Sequence, residues 1–249
     1  MSEFQYKDID REGWETLDAI ASADRFNRWM YETILPYCTG KILEIGSGIG
    51  NISRFFVEAG ADITLSDIRP VYCEELKKHF PEVKDVVELD LMDSSFDIKY
   101  RTHIGQYDSV FALNVVEHIE NDLLAIQNCY RLLKPGGKLT ILVPAYPQLY
   151  NRFDRELEHF RRYTIKKLNA LLHQADFDIT HSQYFNFMGI PGWYVSGKLQ
   201  QNKTIPKSQM SLYNRLVPLF RIIDRCVFHS IGLSAISVGI KPQPGPPLN

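Results

Sequence analysis

Residues 41–51 read Lys-Ile-Leu-Glu-Ile-Gly-Ser-Gly-Ile-Gly-Asn, and the fold turns on them. Ile42, Leu43 and Ile45 form the apolar run of a buried strand. Gly46, Ser47, Gly48, Ile49 and Gly50 follow as a loop with almost no side chain at its bend, and a helical pattern begins at Asn51. A strand that turns through glycines into a helix brings bare backbone, and the positive end of the helix, against a ligand. Dinucleotide sites of this design space their glycines G-x-G-x-x-G. Here the spacing is G-x-G-x-G, with Glu44 two residues before the first glycine. A carboxylate aimed at the loop repels a pyrophosphate and attracts an ammonium or a sulfonium, which favours S-adenosylmethionine over a dinucleotide.

Outward from that loop, strand and helix patterns alternate as a doubly wound α/β sheet requires. Strands are predicted at 41–45, 62–65, 83–89, 107–113, 138–143, 177–184 and 231–240, with helices at 52–59, 70–79, 122–133 and 168–174. Lys134-Pro135-Gly136-Gly137 reads as a turn that stops a helix. A chain of 249 residues with 45% hydrophobic and 23% charged residues is ordinary for one globular domain. A net charge of −2 gives no general electrostatic case for nucleic acid. Cys38, Cys73, Cys129 and Cys226 lie far apart without a C-x-x-C pair, which argues against a disulfide framework or a zinc site. The N-terminal residues are too polar for a signal peptide, and no apolar run reaches the ~18 residues of a spanning helix. A cytoplasmic protein is expected, with a Pro-rich tail at 241–249 that frays.

In such sheets the ligand sits beyond the carboxyl ends of the strands, where strand order reverses. After the second strand comes Ser66-Asp67-Ile68, with Asp67 twenty-one positions beyond Gly46, where an acid grips a ribose diol. After the third comes Asp90-Leu91, an acid placed to reach an adenine amino group. After the fourth comes Asn114-Val115-Val116-Glu117-His118.

Residues 43–50, Asn114-Val115-Val116-Glu117-His118-Ile119, and Leu132-Leu133-Lys134-Pro135-Gly136-Gly137-Lys138-Leu139 together resemble the motifs of class I S-adenosylmethionine-dependent methyltransferases, over about residues 38–144. The resemblance implies a seven-stranded, mostly parallel Rossmann-like sheet whose antiparallel last strand lies between strands five and six. It assigns Glu44, Gly46, Gly48 and Gly50 to the methionine part of the cofactor, with Ser47 and Asn51 in the same set. Asp67 and Ile68 would hold the ribose, Asp90 and Leu91 the adenine, and Asn114, Val115 and Val116 the rim near the methyl group. Asn114-x-x-Glu117-His118 also resembles the Glu-x-x-Glu-His metal motif of ubiquinone-pathway O-methyltransferases. Asn stands here in place of the first Glu, so no metal ligands are assigned.

Methyl transfer to a hydroxyl needs the nucleophile held near the methyl carbon and its proton removed, so a His or a carboxylate is expected there. His118 and His159 compete for that role. His118 reads equally well as a residue beside the adenosine. His159 lies in the insert after strand five, which packs Tyr150, Arg152, Asp154, Arg155, Arg161, Arg162 and Tyr163 into a short span. His159, His118 and Tyr163 are the catalytic candidates; Tyr150, Arg161, Arg162 and Trp193 are the substrate candidates. The bland reading of the insert is a loop laced with salt bridges. Adjacent arginines also suit a phosphate or carboxylate on the acceptor. The His-x-Arg-Arg-Tyr-Thr run resembles a bacterial subgroup of the family often encoded beside glycosyltransferases, which implies glycan or lipid-linked acceptors. Thr164 is placed to cap the next helix.

The aromatic stretch 184–194 suits a sugar, a flat ring or an acyl chain alike. Leu212, Leu216, Leu219, Phe220, Ile223 and Val227 share a helical face that packs on its own domain, on a dimer partner or, with Arg215, Arg221 and Arg225 nearby, on a membrane surface. Pro218 is expected to restart that helix. A helix over 23–37 carries Phe26, Trp29, Met30 and Thr33 on one side, as a lid or a sheet cover. The expected organisation is one domain over 1–249: an N-terminal helical lid at 1–40, a cofactor half at 41–144, and an acceptor half at 145–249 with an amphipathic helical insert about 185–230.

The reading is a methyltransferase acting on a hydroxyl of a small-molecule, glycan or lipid-linked acceptor with an anionic group. The alternatives are N- or C-methylation of a small metabolite, or a silent cofactor-binding scaffold. A nicotinamide oxidoreductase fits poorly because of Glu44 and the glycine spacing. Nucleic-acid methylation fits poorly because strand four lacks Asp/Asn-Pro-Pro-Tyr/Phe, and no Pro-Cys pair exists.

Overall fold

The computed structural model describes residues 17–195 and 207–243. Seven strands form one sheet: β1 (Ile42–Ile45), β2 (Ile63–Asp67), β3 (Val86–Glu88), β4 (Tyr107–Leu113), β5 (Leu133–Pro144), β6 (Asp178–Phe185) and β7 (Ser234–Ile240). Their order is β3-β2-β1-β4-β5-β7-β6, and only β7 runs antiparallel to its neighbours. The order reverses between β1 and β4, which opens the crevice at their carboxyl ends where α/β sheets bind ligands.

Alternation along β1 sends Leu43 and Ile45 to one core and Ile42 to the other. On the first face lie α5 (Asp122–Leu132) and α7 (Ile165–Gln174), burying Ile126, Leu132, Leu168 and Leu172. On the second lie α1 (Asp24–Ile34), α2 (Ser53–Glu58) and α9 (Lys207–Cys226), burying Trp29, Ile34, Phe55, Phe56, Val217 and Phe220. The remaining helices are α3 (Pro70–His79), α4 (Phe96–Lys99), α6 (Arg152–Glu156) and α8 (Gly189–Tyr194). Thr164 caps α7 as expected, its Oγ1 accepting from the Lys167 amide at 3.2 Å, so α7 begins at Ile165 rather than at 168.

Three expectations are corrected. The helix does stop before residues 134–137, with α5 ending at Leu132, but these residues are not a turn between elements: β5 starts at Leu133, which pairs with Tyr107, while Ser109 pairs with Lys138. The four residues bulge out of a continuing strand, with Gly136 at φ 81°. Pro218 does not restart a helix, because α9 runs through it. The lost backbone bond costs about 3 kcal/mol, and the buried Met210, Val217 and Phe220 hold the helix against it. Finally, the stripe assigned to one face of α9 is split. Phe220 is buried, but Leu212, Leu216, Leu219 and Ile222 face outward, with Leu219 52% exposed, so α9 is apolar on both sides.

The helix at 23–37 is α1 followed by a 3₁₀ turn at Leu35–Tyr37, where Pro36 breaks the α pattern. The tail from 244 and the centre of the amphipathic insert at 196–206 lie outside the described residues. No helix among the described residues is long and apolar enough to cross a membrane.

Candidate active site

A cavity of about 710 Å³ opens at the carboxyl ends of the strands, walled by the glycine loop, by Phe26, Asn27 and Met30 of α1, and by α8 and α9. The loop is built by backbone and strand-end groups. The Ser47 amide donates to the Ser66 carbonyl at 2.7 Å, and the Ser66 amide donates to Ser47 Oγ at 3.1 Å. Gly46 sits at φ 70°, and a Cβ there would lie 2.5 Å from Val115 Cγ2. The chain needs glycine at that point both for the left-handed backbone and for the close approach of Val115 in the segment after β4.

Asp67 ends β2 and ties this loop down. Its Oδ2 accepts from the Gly48 amide at 2.9 Å and its Oδ1 from the Arg69 amide at 3.0 Å. Burial raises its pKa above the ordinary carboxylate value, against the pull of those hydrogen bonds. Glu44 is buried below the loop and accepts from Ser53 Oγ. Burial pushes its pKa up to about 7, while hydrogen bonds from Ser53 and Ser47 oppose the rise. A buried acid on a cavity wall, destabilised in its charged form, is a seat for a cationic ligand group.

Glu44, Gly46, Ser47, Gly48, Asn51, Asp67, Ile68, Asp90, Leu91, Asn114 and Val115 all line the cavity. Asn114 stands at φ 55°, which Asn tolerates better than most residues, and its exposed side chain follows the end of β4. Asp90 uses Oδ1 to accept from the Met92 amide at 2.7 Å, so it also shapes its own turn. Two expected cofactor residues are corrected. Val116 is wholly buried in the core behind the site. Gly50 faces away from the cavity, where a Cβ would lie 2.3 Å from Phe80 Cε2, so its role is helix packing.

On the acceptor side the two histidines have different surroundings. His159 lines the cavity, and its Nδ1 lies 2.9 Å from Asp154 Oδ1. Asp154 is fully buried; burial alone would raise its pKa, but the bond to His159 and the nearby Arg162 guanidinium bring it below the usual value. An ionised Asp154 only accepts, so Nδ1 carries the proton and Nε2 keeps its lone pair. His118 packs edge-on against His159 with ring centroids 4.6 Å apart. Burial, together with His159 and Arg69, pushes His118 down to about 3, which makes it a weak base near neutral pH. Tyr163, the third catalytic candidate, does not line the cavity: its hydroxyl donates to Asp122 Oδ2 at 2.8 Å and burial raises its pKa.

The arginines do not form one clamp. Arg162 is buried, donates from Nε to Asp154 Oδ1 at 2.8 Å and from Nη1 to the Ala145 carbonyl at 3.0 Å, and lies over the Trp193 ring at 4.5 Å. Arg161 points elsewhere, 2.7 Å from Asp122 and 2.6 Å from the Glu120 carbonyl, and is not part of the cavity wall. The two guanidiniums avoid mutual repulsion by pairing with separate acids, as the salt-bridge reading of the insert had it. Tyr150 is likewise outside the wall, its hydroxyl donating to the His159 carbonyl at 2.7 Å, while Trp193 lines it.

Two residues named in the sequence without a role become site candidates in the fold. Asp154 was legible only as one acid among several. Glu117 is wholly buried, lines the cavity, and has both carboxylate oxygens without a hydrogen-bond partner. Glu117, His118 and His159 bring their ligand atoms within 4.8 Å of one another. The fold therefore supplies, through His159, a third ligand that the motif after β4 lacks, so a candidate cation site exists where no metal ligands were assigned.

Comparison with known proteins agrees with this geometry. The ubiquinone biosynthesis O-methyltransferase of Xanthomonas oryzae pv. oryzae (strain PXO99A) is 30% identical over 105 residues, 42% of this chain and 43% of that protein. The match thus spans less than half the length of that relative. Among solved structures, a SAM-dependent methyltransferase from Archaeoglobus fulgidus aligns with a TM-score of 0.56 at 18% identity, covering 86% of this chain and 94% of that one. Phosphoethanolamine N-methyltransferase 2 of Haemonchus contortus, in complex with phosphomonomethylethanolamine and S-adenosylhomocysteine, aligns with a TM-score of 0.60 at 16% identity over 98% of this chain and 61% of that one. A sequence profile of the methyltransferase domain matches residues 22–182, from just before α1 into β6. That span holds the glycine loop, both strand-end acids and His159, and the chain accordingly belongs to the methyltransferase domain family, with the class I S-adenosylmethionine-dependent fold.

Proposed function

We propose that the protein methylates a hydroxyl of a small acceptor with an apolar body, and that His159 is the general base. The observation that carries this reading is the buried Asp154–His159 pair on the wall of the same cavity as the glycine loop. The cofactor half suits S-adenosylmethionine: a side-chain-free loop, the buried Glu44 for its ammonium, and Asp67 and Asp90 for its sugar and base. When bound, that cofactor supplies a methyl group whose carbon–sulfur bond breaks with the electron pair left on sulfur.

The chain's own residues do the rest. Asp154 holds the His159 ring in one tautomer, and Tyr150 holds its backbone carbonyl. Nε2 then takes the proton that leaves the acceptor hydroxyl as its oxygen forms the new bond to carbon, an effect worth about 10²–10⁴ in rate. Phe153, Leu157, Met188, Trp193 and Leu216 wall the acceptor half and exclude water. Leu212 and Leu216 belong both to this wall and to the exposed face of α9, which supports an acceptor with an apolar tail, lipid-linked acceptors included. A membrane or a second copy on that face are the matching partner readings.

The test has two stages. Calorimetric titration should give micromolar binding of S-adenosylmethionine and S-adenosylhomocysteine and none of NAD; the reverse would end the methyltransferase reading. A panel of hydroxyl and amine acceptors with methyl-labelled cofactor should then yield methyl ethers with wild type and none with His159→Asn. Methylated amines as the only products would overturn the hydroxyl reading, and no product from any acceptor would favour a silent scaffold.

A further inference from the structure

Glu117 sits in the acceptor half with nothing to bind. It is 0% exposed, yet it lines the cavity, and neither carboxylate oxygen has a hydrogen-bond partner among the described residues. Buried polar groups are almost always satisfied, and an orphan in an otherwise apolar wall marks a missing ligand atom. Its neighbours cannot satisfy it. Arg162 is committed to Asp154 and to the Ala145 carbonyl, and Asp154 to His159, Arg162 and the Asn151 amide. The unused polar group facing the acceptor is therefore an acid, whereas the guanidinium on the same wall has its donors committed elsewhere. That reverses the charge logic suggested by the adjacent arginines in the sequence.

Resting on the methyltransferase reading, we propose that Glu117 is the recognition residue for the acceptor, and that it selects a head group bearing a hydroxyl that donates a hydrogen bond to it. The surroundings choose among the possible donors. Arg162 acts electrostatically on Glu117, and Arg69 and His159 act on His118 next to it. The permanently charged Arg162 and Arg69 disfavour both an ammonium head and a divalent ion in the Glu117–His118–His159 cluster. An anionic head would meet the Glu117 carboxylate on a wall whose Arg162 is already committed to Asp154 and to the Ala145 carbonyl.

The experiment compares four probes with the same ring and different heads: benzyl alcohol, benzylamine, benzoate and toluene. Binding to the full chain is followed by ligand-observed NMR, with S-adenosylhomocysteine present at saturation. Benzyl alcohol should bind about tenfold tighter than either toluene or benzoate, the effect of one satisfied buried hydrogen bond. In Glu117→Leu that preference should vanish and toluene should gain. Benzoate binding as tightly as the alcohol would overturn the proposal, and so would an alcohol preference that survives in Glu117→Leu. Benzylamine binding tightest, with that preference lost in Glu117→Leu, would replace the hydroxyl by an ammonium and overturn the proposal. Binding of Mg²⁺, Mn²⁺ or Zn²⁺ alone to wild type, lost in Glu117→Gln, would make the cluster a cation site and overturn it as well. If Glu117→Leu fails to fold, the ranking of the four probes on wild type still decides. Failure of the parent reading shows separately, as absence of S-adenosylhomocysteine binding, and the probes are then ranked without it.

Discussion

The buried Glu44 makes cofactor affinity depend on pH in a calculable way. Its pKa stands near 7 in the empty cavity, against 4.5 for an ordinary glutamate. The folded, empty protein therefore holds this proton more tightly than the unfolded chain does. Between pH 4.5 and 7 that contribution to stability declines as pH rises, because the native state binds more protons there. A cationic ligand group gains most from the ionised form, so binding expels the proton and affinity rises with pH up to about 7. If only the ionised form binds, the population of competent protein grows about 25-fold from pH 5.5 to 7.5, close to 1.9 kcal/mol. The assay is calorimetric titration with S-adenosylhomocysteine across that range, in pairs of buffers with different ionisation enthalpies to count the protons released. Glu44→Gln should bind roughly 10- to 150-fold more weakly at pH 7.5, the span of a lost charge-assisted hydrogen bond, and its remaining affinity should be flat with pH. A wild-type dissociation constant that stays level from pH 5.5 to 7.5, with no proton released, would refute the reasoning. So would a Glu44→Gln variant with the wild-type slope, which would move the titrating group to Asp67.

Three further outcomes are expected. Asp154→Asn should leave S-adenosylhomocysteine affinity within twofold of wild type but lower methyl transfer by about 10²-fold or more, since His159 loses the partner that fixes its tautomer; steady-state turnover beside a binding titration checks both halves. Gly46→Ala should cost about 1–2 kcal/mol for the left-handed backbone alone, with more from the contact to Val115, and should abolish cofactor binding, read from the denaturation midpoint and by calorimetry. Leu219→Glu, on the outward side of α9, should change stability by no more than about 0.5 kcal/mol, whereas Phe220→Ala, one residue on and buried, should cost about 3–5 kcal/mol; equal losses would mean the helix is turned the other way.

What the sequence disclosed and what it hid divide along a physical line. β4 was bounded at Tyr107 and Leu113 to the residue, and Asp67 was singled out just after a second strand that in fact runs two residues further to end on it, because hydrophobic runs and glycine spacing act over a few residues. The sheet order, with the last strand between the fifth and sixth, came from family resemblance rather than periodicity. The loop-out at 134–137 was misread because Pro and Gly stop helices and interrupt strands with the same letters. Pro218 was misread because local cost was weighed without the tertiary packing of Val217 and Phe220 that outweighs it. The pairing of His159 with Asp154 lay within a single turn and was within reach, but nothing local distinguished that acid from Glu156 or Glu158. The orphaned Glu117 was out of reach altogether, since a group's lack of partners is a property of everything folded around it.

The position of β7 bears on how the protein is made. β6 pairs with β7 alone, and β5 has β7 as its outer neighbour, so the half of the sheet beyond β5 has no hydrogen-bonded continuity until residues 234–240 have left the ribosome. Strands β1 to β5, with the glycine loop, can assemble earlier, since each finds its partner among residues already made. During synthesis the nascent chain thus carries an exposed edge on β5 and an unpaired β6 for the whole time taken to translate α8 and α9, which are themselves apolar. An unpaired edge beside apolar helices is the setting in which chains associate wrongly. Vulnerability to aggregation should therefore concentrate in this last interval of translation, and truncation anywhere before 234 should be far more damaging than the small size of β7 suggests.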